Sequence, residues 1–191
     1  VALELSSDDV SLARLASPYL QELVVSSTWD SIEIDLEPVG ELRALRSFAS
    51  DKVRLRNLAA LHNTTCTQLR LHRAVTSFDF NAIEPRWTVD SLDLSEVIGL
   101  EDLLRLAPIA GLRTLRLADC RELSWLTGID SWASTLTSLI IHDCQSLDFS
   151  DSRTLEPLNS LPYLQRLEIA SGGFVDVSRL RRSAEIKTQF A

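Results

Sequence analysis

The residues able to do acid–base, nucleophilic or metal chemistry are three histidines, three cysteines and 27 carboxylates in a chain of 191 residues. Their spacing argues against most of that chemistry. Cys66, Cys120 and Cys144 include no CxxC pair, and an odd number of thiols does not make a disulfide framework. His142 and Asp143 are neighbours, but successive side chains of a strand point to opposite faces, so the two do not form a ready dyad. The phosphate-cradling G-x-x-x-x-G-K and G-x-G-x-x-G, the zinc-binding H-E-x-x-H and the nucleophile elbow G-x-S-x-G do not occur. The expectation is a protein without catalytic residues, cofactor or metal.

Composition narrows the partners. A net charge of −8, from 19 basic and 27 acidic residues, disfavours a nucleic-acid binder, which normally carries a basic stripe. No apolar run approaches the roughly 18 residues that a membrane helix needs, so membrane insertion is not expected. Small molecules are not expected as ligands either. The opening VALELSSDDV has no basic and apolar leader pattern, and the sequence contains no methionine, which suggests a piece of a longer protein. The unpaired cysteine count favours a reducing, cytoplasmic setting. The glycosylation triplet Asn63-Thr64-Thr65 points to the extracellular alternative.

Any side chain that acts must be positioned by a repeat. LRTLRLADC, 112–120, recurs 24 residues later as LTSLIIHDC, 136–144. The frame L-x-x-L-x-L fits near 1–6, 20–25, 42–47, 66–71, 89–94, 112–117, 136–141 and 164–169, with leucine at its fourth position in every copy. Successive fourth positions are 20, 22, 24, 23, 23, 24 and 28 residues apart, and the sixth position is apolar except at Ser47. A period of two sends positions four and six inward and positions three, five and seven outward. One coil cannot hide its leucines alone, so coils must stack. On this frame Leu115 and Leu139 are core residues and Ser47 is the weak rung, where valine should be tolerated or stabilising. The returns SEVIGLEDLLRLAPIAG and VRLRNLAALHN have helical spacing, whereas QSLDFSDSRTLEPLNSLPY reads as turns. The stretch 172–191 loses the frame and is read as an atypical or capping segment, either a closing helix or a final strand around Ile186.

This pattern resembles the leucine-rich-repeat family over nearly the whole chain. The resemblance implies one domain, 1–191, of about eight repeats: an α/β, right-handed, curved solenoid with one parallel concave β-sheet and helical, 3₁₀ or irregular convex segments. The family's ninth position is Asn or Cys. Here it reads Asp8, Thr28, Ser50, Ala74, Val97, Cys120, Cys144 and Gly172, so the repeats are irregular with some Cys-type, intracellular character. Cys120 and Cys144 are read as buried free thiols, and Cys66 as a replacement for a core leucine.

The resemblance further implies a non-catalytic protein-interaction module, a scaffold or adaptor that binds a protein through its concave face. Two alternatives are a ligand-sensing segment of an immune-type receptor and the substrate-recruiting domain of a ubiquitin ligase. The candidate partner-binding residues are Arg46, Phe48, Arg70, His72, Arg73, Asp93, Arg116, Asp119, His142 and Asp143, with Phe48 as the apolar anchor. Arg70, Asp93 and Arg116 alternate in sign across neighbouring strands. Reversing Arg70 and Arg116 together is expected to abolish capture with little thermal effect. Trp29, Trp87, Trp125 and Trp132 fall outside the strand frames and are expected under the convex returns, with Trp125 and Trp132 the candidates for an exposed edge.

Overall fold

A computed structural model describes residues 2–6, 17–28, 32–73, 87–171, 180 and 185–190. Trp29, Asp8, Ala74 and Gly172 lie outside them. The frame folds as the period of two dictates. Eleven strands are described: β1 (Ala2–Ser6), β2 (Glu22–Ser26), β3 (Ile32–Asp35), β4 (Ser47–Asp51), β5 (Val53–Arg56), β6 (Gln68–His72), β7 (Ser91–Ser95), β8 (Thr114–Ala118), β9 (Ser138–His142), β10 (Arg166–Ser171) and β11 (Glu185–Phe190). Nine of them form one sheet in the order β1-β2-β4-β6-β7-β8-β9-β10-β11. Every neighbouring pair in it is parallel. Each coil therefore contributes one strand, and the return on the other side brings the chain back to start the next.

Two backbone devices bound each coil. At its start, the carbonyl of position two accepts two N–H groups from the following coil: Gln21 from Arg46 and Ser47, Arg46 from Thr67 and Gln68, Asp90 from Arg113 and Thr114. At its end, position eight turns into the left-handed region in five consecutive coils: Lys52, Arg73, Glu96, Asp119 and Asp143, with φ from 48° to 57°. Each of these residues still donates its N–H to the position-seven carbonyl of the neighbouring strand, as Asp119 does to His142 at 2.9 Å. The turn sends the ninth residue inward, so Val53, Val97, Cys120 and Cys144 are all buried.

The core is the column the frame defines. Leu23, Phe48, Leu69, Leu92, Leu115, Leu139 and Leu167 pair in register and are buried, as are Val25, Leu71, Leu94, Leu117, Ile141 and Ile169. The third coil corrects the sequence reading. Leu45, not Leu42, is its first position, and Phe48 and Ser50 are its fourth and sixth. The motif LRALRSFAS offers two overlapping frames three residues apart, and both place serine sixth. The true intervals on either side, 25 and 21, reflect a long return that carries β3 and a 3₁₀ turn, Glu37–Glu41. The weak rung is thus Ser50, buried with its hydroxyl unpaired, while Ser47 is half-buried on the outer face. A buried unpaired hydroxyl costs about 1–3 kcal/mol. Ser50→Val is expected to raise the melting temperature by several degrees, whereas Ser47→Val should leave it within about 2 °C. Calorimetry on the two variants checks the register directly.

The returns differ from the helices expected of them. In VRLRNLAALHN, residues Val53–Arg56 form β5, which pairs with β3 in a second, two-stranded parallel sheet. Asn57 then takes φ 56°, and Leu58–Asn63 form a 3₁₀ helix. The spacing of Leu55, Leu58 and Leu61 is three, the 3₁₀ period, and Leu58 and Leu61 are buried within that helix. SEVIGLEDLLRLAPIAG keeps only a 3₁₀ turn, Leu104–Leu106, with Leu104 exposed. Positive φ at Gly99 and Gly111 and the proline at 108 bound the segment too tightly for a longer helix. In the return read as turns, Ser152–Leu155 form one α-turn, α1, followed by a 3₁₀ helix, Glu156–Ser160. At the C-terminal end the strand alternative holds: β11 pairs with β10, setting Ile186 beside Leu167.

Candidate interaction surface

The outer face of the main sheet is set by positions three, five and seven. Across the middle coils these are Ser47, Ala49 and Asp51 on β4, Gln68, Arg70 and His72 on β6, Ser91, Asp93 and Ser95 on β7, and Thr114, Arg116 and Ala118 on β8. Small residues surround the charged ones, so no bulky side chain covers the charges. The carboxylate of Asp93 sits between two guanidinium groups, with Oδ2 3.3 Å from Arg116 and 3.6 Å from Arg70. The side chain of Arg70 is 71% exposed and that of Asp93 only 20%, so the cation is the group offered to solvent. Asp93 Oδ1 is buried and has no hydrogen-bond partner.

Two histidines bridge neighbouring coils. His72 spans a pair of carboxylates, with Nδ1 3.2 Å from Asp51 Oδ1 and Nε2 3.1 Å from Glu96 Oε1. His142 Nε2 lies 3.1 Å from Glu168 Oε1, and Arg166 donates to the other oxygen of Glu168. Burial raises the Glu96 carboxyl, but hydrogen bonds from Arg73 and His72 outweigh it and hold the group below the usual carboxylate range. The hydrogen bonds from Arg166 and then His142 do the same for Glu168. Exposed pairs of this kind contribute about 0–1 kcal/mol each. They fix side-chain directions more than they add stability.

Of the residues proposed from the sequence, Arg70, His72, Asp93, Arg116 and His142 lie on this outer face. Arg46 is exposed just before β4. Arg73, Asp119 and Asp143 belong to the left-handed column at the strand ends and are exposed. Phe48 is a correction: it is fully buried at an inward position and cannot anchor a partner, because the third coil is shifted by three residues. The same shift concealed Asp51 and Lys52, and Glu96 was missed although position eight is charged in five successive coils.

That column also changes sign along the stack: Lys52 and Arg73 come first, then Glu96, Asp119 and Asp143. The coils that carry this column share the trend. Residues 32–73 hold seven Lys and Arg against five Asp and Glu, and residues 87–171 hold six against thirteen.

Among the described residues no group of three or more His, Cys, Asp or Glu side chains is arranged to hold a metal ion. No helix among them is long and apolar enough to cross a membrane. The three cysteines are free and buried. Cys120 and Cys144 stand at equivalent turns, each thiol 3.5 Å from the carbonyl two residues before it. Burial pushes the Cys66 thiol up to about 11. The hydrogen bond with Cys120, and then burial, raise that of Cys144. All three thiols fill space in the core. Trp132 is buried and donates its indole N–H to the Ile109 carbonyl at 2.7 Å, which removes it as an edge residue; Trp87 is buried as well. Trp125 is partly exposed.

No protein-family model matches the chain, and no curated protein does. Solved structures do. The leucine-rich-repeat domain of the type III effector XopL superposes with a TM-score of 0.59 at 15% identity, covering 98% of this chain and 76% of that one. Internalin C2 of Listeria monocytogenes gives a TM-score of 0.48 at 17% identity, covering 86% and 80%. With one strand per coil in the main sheet, a leucine column in register and parallel pairing throughout, the chain has the leucine-rich-repeat fold.

Proposed function

We propose that the protein is a non-catalytic interaction module that binds a protein partner through the outer face of the main sheet, centred on β6, β7 and β8. One observation carries this reading. Arg70 and Arg116 are held at either side of Asp93 on rigid strands, Arg70 exposed and Arg116 half-exposed, with His72 and otherwise only Gln, Ser, Thr and Ala beside them on those strands. Arginine is prominent among residues that dominate binding energy, and fixing it beforehand reduces the entropy lost on association. Arg46, His72, Arg73, Asp119, His142 and Asp143 extend the surface. A scaffold or adaptor within a larger cytoplasmic protein suits such a face, and three buried free thiols support the reducing compartment.

The test is affinity capture with the wild-type chain and with the Arg70→Glu, Arg116→Glu double variant, the bound proteins being identified by mass spectrometry. Loss of the specifically bound species in the variant is the expected result. The melting temperature should fall by a few degrees rather than stay constant, because Asp93 would then face two carboxylates instead of two guanidinium groups. Undiminished capture by a folded double variant would move the binding surface elsewhere.

A further inference from the structure

On the return side, away from the sheet face, the segments after β8 and after β9 enclose a cleft of about 640 Å³. Trp125, Thr127, Gly128 and Asp130 line it from one coil, and Arg153, Glu156, Pro157 and Ser160 from the next. The guanidinium of Arg153 lies over the Trp125 ring, 4.5 Å from its centroid. It is also pinned edge-on: Asp151 accepts from Nε at 3.0 Å and from Nη2 at 2.7 Å. The same Asp151 carboxylate accepts the backbone N–H of Arg153 at 2.9 Å and so fixes the turn that carries the arginine. With two of its five N–H donors engaged by Asp151 and the group set over the indole, Arg153 still has a side chain 70% exposed, which leaves the other face of the planar group toward the cleft it lines.

A planar cation held in this way is a ready stacking surface. Guanidinium stacks on aromatic rings through both its charge and its plane. Because Asp151 and Trp125 have already ordered the side chain, a ring placed on the free face loses little additional rotamer entropy. The charge around the cleft determines what should flank that ring. Arg153 is neutralised by Asp151, whereas the carboxylates of Asp130 and Glu156 make no ion pair among the described residues. The unsatisfied charge at the rim is therefore negative, and it favours cations beside the ring.

We propose that the Trp125–Arg153 cleft is a second docking site, which takes a protein segment bearing an aromatic side chain flanked by lysine or arginine. The ring stacks on the outer face of Arg153 and completes an indole–guanidinium–aromatic sandwich, and the flanking cations meet Asp130 and Glu156. This site is independent of the sheet face and uses none of its residues.

The isotope-labelled 191-residue chain titrated with the capped peptide Ser-Gly-Lys-Trp-Lys-Gly-Ser tests the assignment by nuclear magnetic resonance. The signals followed are the Trp125 indole N–H, identified by its loss in Trp125→Phe, and the Arg153 Nε–H. Both should shift on titration. The matched peptides with leucine for tryptophan, or with glutamate for both lysines, should bind more weakly by roughly two- to tenfold. Arg153→Lys keeps the charge but loses the plane, and should abolish the preference for tryptophan over leucine. Equal shifts with the tryptophan and leucine peptides, no shift at either group, or an unchanged preference in Arg153→Lys would each overturn the proposal. Stronger shifts with a short single-stranded oligothymidylate would overturn it in favour of a nucleic-acid site.

Discussion

Leu139→Ala should lower the stability of the chain by about 2–5 kcal/mol, and Leu115→Ala by a similar amount. Both side chains are fully buried in the fourth-position column: Leu115 between Leu92 and Leu139, and Leu139 between Leu115 and Leu167. Truncation removes the transfer energy of three carbons and leaves a void that neighbours on a hydrogen-bonded sheet cannot collapse to fill. In a solenoid each coil contacts mainly its neighbours, so the loss falls on two interfaces at once. Urea titration followed by circular dichroism reads the change. A loss below about 1 kcal/mol at either position would place that leucine outside the core, and with it the register of the sheet.

Gly128→Ala is the second substitution with a large expected effect. Gly128 has φ +98°, where a Cβ is strained. A Cβ there would also lie 2.7 Å from the Leu104 nitrogen and 2.8 Å from the Leu103 carbonyl carbon and Leu104 Cα. These are backbone atoms of the preceding coil, and the hydrogen bond from Leu103 N–H to the Thr127 carbonyl at 3.0 Å holds the two segments together. Left-handed strain of about 1–2 kcal/mol and overpacking of about 1–3 kcal/mol combine to a loss of about 2–5 kcal/mol. Gly111→Ala supplies the contrast: its nearest obstacle, at 3.1 Å, is the end of the Thr88 side chain, which can rotate away. Thermal melts of both variants should show the larger drop for Gly128→Ala, and equal drops would contradict the close approach.

How far the sequence shows this structure depends on the kind of signal. The strand frame is legible because burial is all or none at positions four and six, and leucine at one and isoleucine, valine or leucine at the other repeat that choice. It fails at LRALRSFAS, where Phe48 fills the fourth place and the spare Leu42, also buried, mimics a first position. The returns are much less legible. Leucines three apart serve a 3₁₀ turn as well as one face of an α-helix, and only the room left between two sheet strands decides between them. The charged face was legible as a set of outward positions. Its pairing was not, since the link between His142 and Glu168 depends on which position-seven side chain leans toward which neighbour. The Trp125–Arg153 stack joins residues 28 apart on irregular segments, with no period to reveal it.

The sign change along the strand-end column bears on a difficulty particular to repeating surfaces. Successive coils present nearly the same backbone, displaced by about 4.8 Å, so a partner lying along the stack can slip by one coil, or reverse end for end, at little cost in shape. A uniform charge would leave that degeneracy in place. The reversal between Arg73 and Glu96 breaks the translational symmetry and gives the stack a direction and an origin. A complementary partner is turned and brought into register before contact, while the charges act across the roughly 10 Å Debye length of 0.1 M salt. Raising the salt should then cost association rate and selectivity of register together, with little change in how long a correctly seated partner stays bound.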